Sequence, residues 1–192
     1  MSYLELFVGP MFSGKTTKLI DLYKKFTFCQ IKVCVINHSL DNRYSETQLV
    51  THDGRSVPSI FISHLLPFIQ DTSSLEDPLD ENGKNHLSIM MSDVILINEG
   101  QFFEDLYDGV LELLKKNKKI YISGLDGDFQ QNKFGRLLDL IPHCDKITKL
   151  QAICSLCKDG TPAIFSKRLV NEKSQTFIGS DNYIPVCRKC FS

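Results

Sequence analysis

A glycine-rich stretch near the N-terminus carries the residues of this chain that are best suited to chemistry. Residues 9–16 read GPMFSGKT, which matches the pattern G-x-x-x-x-G-K-[ST]. In that pattern, backbone N–H groups and a helix N-terminus surround a polyphosphate. Lys15 supplies a positive charge for the β- and γ-phosphates of ATP, and Thr16 supplies a hydroxyl for Mg²⁺. We assign the whole loop to phosphate binding: Gly9, Pro10, Met11, Phe12, Ser13, Gly14, Lys15 and Thr16.

A pair of side chains in the middle of the chain is the second candidate for chemistry. Asn98 and Glu99 directly follow an apolar run. P-loop enzymes usually place an aspartate at the end of such a strand, where it holds Mg²⁺ through water, and Asn98 occupies that place. Glu99 is one residue further on and points differently, so it can take a proton from a substrate hydroxyl as general base. The alternative is that Glu99 is only a magnesium ligand.

Four cysteines near the C-terminus form a third candidate site. Cys154 and Cys157 make one C-x₂-C pair, and Cys187 and Cys190 make another. Two such pairs predict a closed Cys₄ site for structural Zn²⁺, with disulfides or a redox pair as the alternatives. A small domain over residues 151–192, too short for a sound core, then depends on the metal for its shape. The span between the pairs is either a loop that folds over a ligand or a hairpin of a nucleic-acid-binding zinc ribbon.

The elements that must position these residues follow from hydrophobic patterns. Near-continuous apolar runs are typical of parallel strands covered on both faces. They predict strands at residues 4–8, 32–36, 93–97, 119–123 and 146–150. Helical patterns at 18–26 and 104–117 alternate with them, and the strand and helix around residues 9–16 disfavour a chance match in a glycine turn. We therefore predict an α/β fold over residues 1–150, a P-loop (RecA-like) parallel sheet with helices on both faces.

Two further regions complete this organisation. The polar, acidic stretch 71–86 is expected to be a loop, with a short helix at 87–90. Ligands of open α/β sheets bind beyond the carboxyl ends of the strands, so apolar side chains there predict a flat slot for a planar base. The alternative is that these side chains are core. They are Met11, Phe102, Leu125, Phe129 and Phe134.

Composition excludes several classes of partner. The 192 residues carry a formal net charge of −1, so no global field attracts nucleic acid or anionic lipid. No apolar run approaches the roughly 18 residues that span a bilayer, and the N-terminus lacks the basic region of a signal peptide. We therefore expect a soluble cytoplasmic protein that binds neither membranes nor nucleic acid.

Six motifs in order resemble the type II thymidine kinases, the zinc-containing class found in cells and poxviruses. They are GPMFSGKT, DNRY at 41–44, THD at 51–53, NEGQF at 98–102, GLDGDFQ at 124–130, and two C-x₂-C pairs flanking FSKR and Tyr183. The resemblance covers nearly the whole chain except residues 71–86. It implies transfer of the γ-phosphoryl of ATP to the 5′-hydroxyl of thymidine, with deoxyuridine as a possible substrate, Mg²⁺ as cofactor and zinc as a structural metal.

The resemblance also implies roles for individual residues. Glu99 matches the catalytic base, Asp41 and Arg43 match a D-x-R element near the phosphates, and Tyr183 matches the tyrosine of a lasso loop that closes over the nucleoside. Members are commonly homotetramers and are inhibited by thymidine triphosphate. The implied nucleoside contacts are Met11, Phe102, Leu125, Phe129, Phe134, Ser166, Arg168 and Tyr183.

Two departures from the family pattern keep other functions open. Asn98 stands where the family has aspartate, and Ile178-Gly179 stands where it has two glycines before the tyrosine. A catalytically weak nucleotide-binding regulator is one alternative, motivated by Asn98. A nucleic-acid-dependent ATPase is another, but it needs a basic stripe that this balanced chain does not provide.

Overall fold

The protein is described by a computed structural model that covers residues 1–41, 47–51, 53–70, 80–177 and 179–192. Its strands and helices, in chain order, are β1 (Tyr3–Val8), α1 (Lys15–Phe28), β2 (Val33–His38), β3 (Gln48–Val50), β4 (Ser56–Pro58), β5 (Ile60–Ile62), α2 (Glu81–Met91), β6 (Val94–Ile97), α3 (Leu106–Lys115), β7 (Lys119–Gly124), β8 (Lys146–Lys149), β9 (Ala152–Ile153), β10 (Pro162–Ala163), β11 (Phe165–Arg168), β12 (Tyr183–Val186) and α4 (Arg188–Phe191).

A six-stranded parallel sheet forms the centre of the molecule. Its strand order is β5-β2-β6-β7-β1-β8, and every neighbouring pair is parallel. β1 lies between β7 and β8, with Leu6 opposite both Ile122 and Ile147. The predicted parallel sheet is therefore confirmed. The short edge strand β5 was not predicted, because three apolar residues carry too weak a pattern.

Helices cover both faces of this sheet, as predicted. On one face, Leu19 and Ile20 of α1 pack with Phe7 and Val35 in one buried cluster. On the other face, α2 and α3 join the larger cluster, to which Ile89 of α2 contributes. Within the described residues, no helix is long and apolar enough to cross a bilayer.

Helix α2 corrects one prediction. Residues 80–86 were expected to belong to a loop, but α2 begins at Glu81, and the rest of that expected loop, 71–79, lies outside the described residues. The Asp80 carboxylate accepts a hydrogen bond from Gly83 N at 2.6 Å, so it caps the helix. The cap and the burial of Ile89 outweigh the poor helix propensity of Gly83 and its asparagine neighbours.

Residues 151–192, here called the C-terminal unit, consist of two small antiparallel pairs. β9 pairs with β10, and β11 pairs with β12. Their small core contains Ala152, Ala163 and Val186 together with cysteine side chains. Such a core is too small to hold a fixed shape without a further link.

A carboxylate at the start of α3 ties two distant parts of the chain together. Asp105 Oδ2 accepts hydrogen bonds from Leu65 N at 2.7 Å and Leu66 N at 2.8 Å. These N–H groups begin the 3₁₀ helix Leu66–Phe68, whose neighbours Leu65 and Ile69 are fully buried. Asp105 therefore caps this helix from a distance.

We predict that Asp105→Ala lowers the free energy of unfolding by about 2–3 kcal/mol, because two bonds to an ionised acceptor are lost. Urea denaturation measures this change. Asp108→Ala, which removes an exposed carboxylate from the same helix, is the matched control and should stay within about 0.5 kcal/mol of the parent. Equal stability of the two variants would show that the cap does not support the fold.

Candidate active site

The loop between β1 and α1 has the backbone geometry that phosphate binding needs. Gly9 has φ +145°, and a Cβ there would lie 2.4 Å from the carbonyl oxygen of Leu150. Gly14 has φ +81° and leads into α1. The first turn of α1 has neither a side-chain cap nor an acidic residue. Its N–H groups and the positive end of the helix dipole therefore favour an anion in the loop.

Lys15 and Ser13 are held by the same backbone oxygen. Lys15 Nζ donates to Pro10 O at 2.6 Å, and Ser13 Oγ donates to it at 2.8 Å. Lys15 is only 8% exposed. Its ammonium thus lies within the loop, where a phosphate oxygen can replace Pro10 O as its hydrogen-bond partner.

A polar network lies beneath the loop at the ends of β2, β6 and β7. Asn98 Oδ1 accepts hydrogen bonds from Ser123 Oγ at 2.8 Å and from Thr16 Oγ1 at 3.5 Å. Its amide nitrogen donates to Asn37 Oδ1 at 3.0 Å and to Asp41 Oδ2 at 3.5 Å. Asn98 is 2% exposed, so it is the buried centre of this network.

The network fits the Mg²⁺ that the P-loop motif implies. Mg²⁺ takes oxygen ligands and usually keeps several waters beside a few protein groups. Thr16, Asp41 and Asn98 bring a hydroxyl, a carboxylate and an amide oxygen together beside the loop. The only carboxylate among these three groups is that of Asp41. Arg43, the other member of the D-x-R element, lies outside the described residues.

Glu99 stands where β6 ends and has a left-handed backbone, with φ +52°. The side chain of Gln101 holds its carboxylate, with Nε2 donating to Glu99 Oε2 at 2.6 Å. Gln101 Oε1 accepts a hydrogen bond from Leu125 N at 3.0 Å. Glu99 is half-buried and faces the same cavity as Lys15 and Thr16.

That cavity encloses about 340 Å³. Phosphate-loop residues line it together with a set of apolar, mostly aromatic side chains, here called the aromatic slot. Phe102 and Phe134 meet edge to face there, with ring centroids 5.7 Å apart. The predicted apolar residues all line the cavity: Met11, Phe102, Leu125, Phe129 and Phe134. Phe134 is also 7% exposed, so it belongs to the core and to the slot.

The C-terminal unit closes this cavity through two contacts of β11 and β12. Ser166 Oγ accepts a hydrogen bond from Met11 N at 2.9 Å, which joins the unit to the phosphate loop. Tyr183 is buried and lines the cavity, and its hydroxyl donates to Phe177 O at 2.9 Å.

Arg168, which the resemblance assigns to the nucleoside, lies beside the cavity and contacts residues that line it. Its guanidinium is not among the groups that line the cavity and lies 3.6 Å from the centroid of the Phe129 ring. It donates to Tyr183 OH and to the backbone oxygens of Glu172, Ser174 and Gln175. The N–H groups of its guanidinium therefore hold residues 169–177 in place. The guanidinium also packs on Phe129, which lines the cavity.

A second link fastens residues 169–177 to the parallel-sheet part of the molecule. Gln175 Nε2 donates to Asp128 Oδ2 at 2.8 Å. Asp128 is 7% exposed, and its other oxygen accepts hydrogen bonds from Gln130 N and Asn132 N. The segment over the cavity is thus held at Phe129 and at Asp128.

The four predicted metal ligands come together in one cluster. The Sγ atoms of Cys154, Cys157, Cys187 and Cys190 all lie within 4.8 Å of one another. Sulfurs about 2.3 Å from one tetrahedral Zn²⁺ lie about 3.8 Å apart. Cys157 Sγ is 3.7 Å from Cys187 Sγ and 3.5 Å from Cys190 Sγ, which fits that geometry.

Electrostatics around Cys154 favour the thiolate that a metal requires. Desolvation raises the pKa of this thiol, but hydrogen bonds from the backbone N–H groups of Cys157 and Cys187 outweigh it and bring that pKa down to about 6. Hydrogen bonds with Cys190, Cys154 and Cys187 raise the pKa of Cys157 to about 12, so without a metal Cys154 ionises before Cys157 does.

Several residues of the site were missed in the sequence. Gln101, Asn37, Ser123, Asp128 and Gln175 all make buried or bridging hydrogen bonds there. Asn37 and Ser123 sit near the carboxyl ends of predicted strands, a position that signals ligand contact. Nothing in the sequence marks Gln175, because its partner becomes its neighbour only in the folded chain.

The arrangement is suited to phosphoryl transfer between two bound molecules. A triphosphate fits the loop and the α1 N-terminus, and a planar base fits the aromatic slot. Glu99 lies in the same cavity, where it can meet a hydroxyl of the second molecule.

Comparison with known proteins agrees with this geometry. A family model described as Thymidine kinase matches residues 2–191. The chain is 40% identical to the thymidine kinase of Sheeppox virus (strain KS-1) over 191 residues, 98% of this chain and 96% of that protein. It is 38% identical to Thymidine kinase 1 of Dictyostelium discoideum, over 98% of this chain and 77% of that protein. It is 39% identical to the thymidine kinase of Oryza sativa subsp. japonica, over 97% of this chain and 65% of that protein. The predicted family is therefore confirmed, and the chain belongs to the thymidine kinase family.

Proposed function

We propose that this chain transfers the γ-phosphoryl group of ATP to the 5′-hydroxyl of thymidine, with deoxyuridine as a possible second acceptor. The observation that carries the proposal is the shared cavity. Lys15, Thr16, Glu99 and the residues of the aromatic slot all line this one cavity. A nucleoside whose base fills the slot directs its sugar towards the phosphates.

Each group has a role in this reaction. Lys15 exchanges Pro10 O for oxygens of the β- and γ-phosphates, and the N–H groups of α1 hold the remaining charge. Glu99 takes the proton of the 5′-hydroxyl as that oxygen bonds to the γ-phosphorus, while the bond to the β–γ bridging oxygen breaks and ADP leaves. Thr16, Asp41 and Asn98 would hold Mg²⁺, which neutralises charge on the phosphates when bound.

Two alternatives are less well supported. A nucleic-acid-dependent ATPase needs a basic surface, whereas the chain has a formal net charge of −1. A weak regulator is motivated by Asn98, but Asp41 brings a carboxylate within 3.5 Å of the Asn98 amide. The kinase family of the chain favours an enzyme over both.

Further assignments extend the proposal. We assign Zn²⁺ to the four-cysteine cluster as a structural metal, because all four ligand positions are filled by protein sulfur. Unpaired cysteines fit a reducing compartment such as the cytoplasm. A homotetramer and feedback inhibition by thymidine triphosphate follow from the type II resemblance.

We predict that Glu99→Gln still binds thymidine but turns over about 10²–10⁴-fold more slowly, because the amide cannot accept the proton. Transfer of label from ATP to thymidine measures turnover, and calorimetry measures binding. Glu104→Gln, an exposed site five residues further along the chain, is the control and should retain the parental rate. Near-parental turnover of Glu99→Gln would remove Glu99 from the base role.

We predict that Asn98→Asp lowers the Mg²⁺ concentration needed for half-maximal turnover. The new carboxylate faces Asp41 at about the 3.5 Å that now separates Asn98 Nδ2 from Asp41 Oδ2. A cation between two carboxylates is bound more strongly, whereas without it their repulsion destabilises the fold. Thermal unfolding should therefore show a lower Tm without Mg²⁺ and a larger rise when MgATP is added.

Asn132→Asp adds the same charge at an exposed position and controls for net charge. An Mg²⁺ requirement of Asn98→Asp equal to that of the parent would refute the assignment of Asn98 to the metal.

We predict that removal of zinc by a chelator abolishes thymidine binding before ATP binding. The cluster fixes β11 and β12, whose Ser166 and Tyr183 face the cavity, whereas the phosphate loop belongs to the parallel sheet. Cys157→Ser should reproduce the loss, and Cys29→Ser, at an exposed cysteine outside the cluster, should not. Calorimetric titration with each ligand distinguishes the effects. Loss of both ligands together would show that the two regions do not act separately.

A further inference from the structure

We propose that Gln101 is a positioning residue for the reaction. It sets the orientation of the Glu99 carboxylate and links that carboxylate to Leu125 in the aromatic slot. This inference rests on the proposed role of Glu99 as general base. Gln101 itself is not among the residues that line the cavity, so it acts through its neighbours.

Both polar atoms of the Gln101 side-chain amide make hydrogen bonds, one as a donor and the other as an acceptor. Nε2 donates to Glu99 Oε2 at 2.6 Å, and Oε1 accepts from Leu125 N at 3.0 Å. Flipping the amide would set oxygen against carboxylate and an N–H group against an N–H group. The two partners therefore determine one orientation of the amide. In that orientation the Nε2–H group of Gln101 points towards the Glu99 carboxylate.

Two glycines allow the backbone to pack closely against Gln101. A Cβ on Gly124 would lie 2.6 Å from Gln101 Oε1, and a Cβ on Gly135 would lie 2.2 Å from the Gln101 backbone oxygen. Gly135 also has φ +59°, which disfavours other residues. Gln101 is 4% exposed. Such close packing leaves its side chain little freedom to move.

The two hydrogen bonds of Gln101 connect the proposed catalytic carboxylate with a residue of the aromatic slot. The hydrogen bond from Gln101 constrains the plane of the Glu99 carboxylate. Leu125 lines the slot for the base, and its N–H group holds the other end of the same amide. The Glu99 carboxylate and the Leu125 backbone are thus linked through one buried side chain. A misplacement of about 1 Å at a reacting group costs about 10²-fold in rate.

The test is a double-mutant cycle of Gln101→Met with Glu99→Gln. Methionine keeps the length of glutamine and removes both hydrogen bonds. We expect Gln101→Met to lower kcat by about 10- to 100-fold while the KM for thymidine and ATP binding change little. Because Gln101 acts through Glu99, the double variant should turn over at the rate of Glu99→Gln alone. Gln70→Met makes the same change at an exposed glutamine that does not line the cavity and should retain the parental kcat.

The outcomes separate this inference from the proposed function. Near-parental turnover of Glu99→Gln defeats the base assignment itself, and the inference with it. If Glu99→Gln is slow, a parental kcat of Gln101→Met overturns the inference alone. A loss that multiplies in the double variant does the same, because it shows support of the fold rather than of Glu99. If Gln101→Met does not fold, Gln101→Glu decides. It keeps the volume but sets a carboxylate against Glu99, and a parental kcat there contradicts the inference.

Discussion

The carboxyl ends of β1, β6 and β7 meet at one edge of the parallel sheet, and every contact proposed for catalysis depends on this constraint. β1 leads into the phosphate loop, β6 ends before Glu99, and β7 ends before Leu125. Hydrogen-bonded register fixes these ends relative to one another. The buried apolar residues on both faces stabilise the sheet. They therefore also fix the distances between the phosphate loop, Glu99 and Leu125.

Charge at this edge is distributed in an unusual way. The buried position that usually carries an aspartate holds the neutral Asn98, whose amide both accepts and donates hydrogen bonds. A carboxylate that accepts a hydrogen bond from its amide belongs to Asp41, beyond the end of β2. A neutral residue at this position avoids repulsion between two neighbouring carboxylates when no cation is bound. Asparagine thus lowers the charge of the proposed Mg²⁺ site and favours the stability of the ligand-free fold.

How much the sequence predicts depends on the range of the interactions. The parallel strands and α3 carry strong local patterns, and the glycine loop and cysteine pairs carry strong spacings, so their placement was foreseen. Of helix α2 only residues 87–90 were predicted as helix, because residues 81–86 have weak propensity and depend on the Asp80 cap. The contacts of Arg168 with Phe129 and with the backbone oxygens of Glu172, Ser174 and Gln175 arise only in the folded chain, and its nucleoside role stays a prediction. Gln101 was missed because its role arises from Leu125 and two glycines that approach only in the folded chain.

The most direct measurement is a crystal structure of the protein with thymidine and a non-hydrolysable ATP analogue bound together. The account predicts the base between the aromatic residues of the slot and the triphosphate on the loop that contains Lys15. It predicts the 5′-oxygen within about 2.6–3.2 Å of a Glu99 carboxylate oxygen. A nucleoside bound outside this cavity, or a 5′-oxygen separated from Glu99 by more than one water, would contradict it.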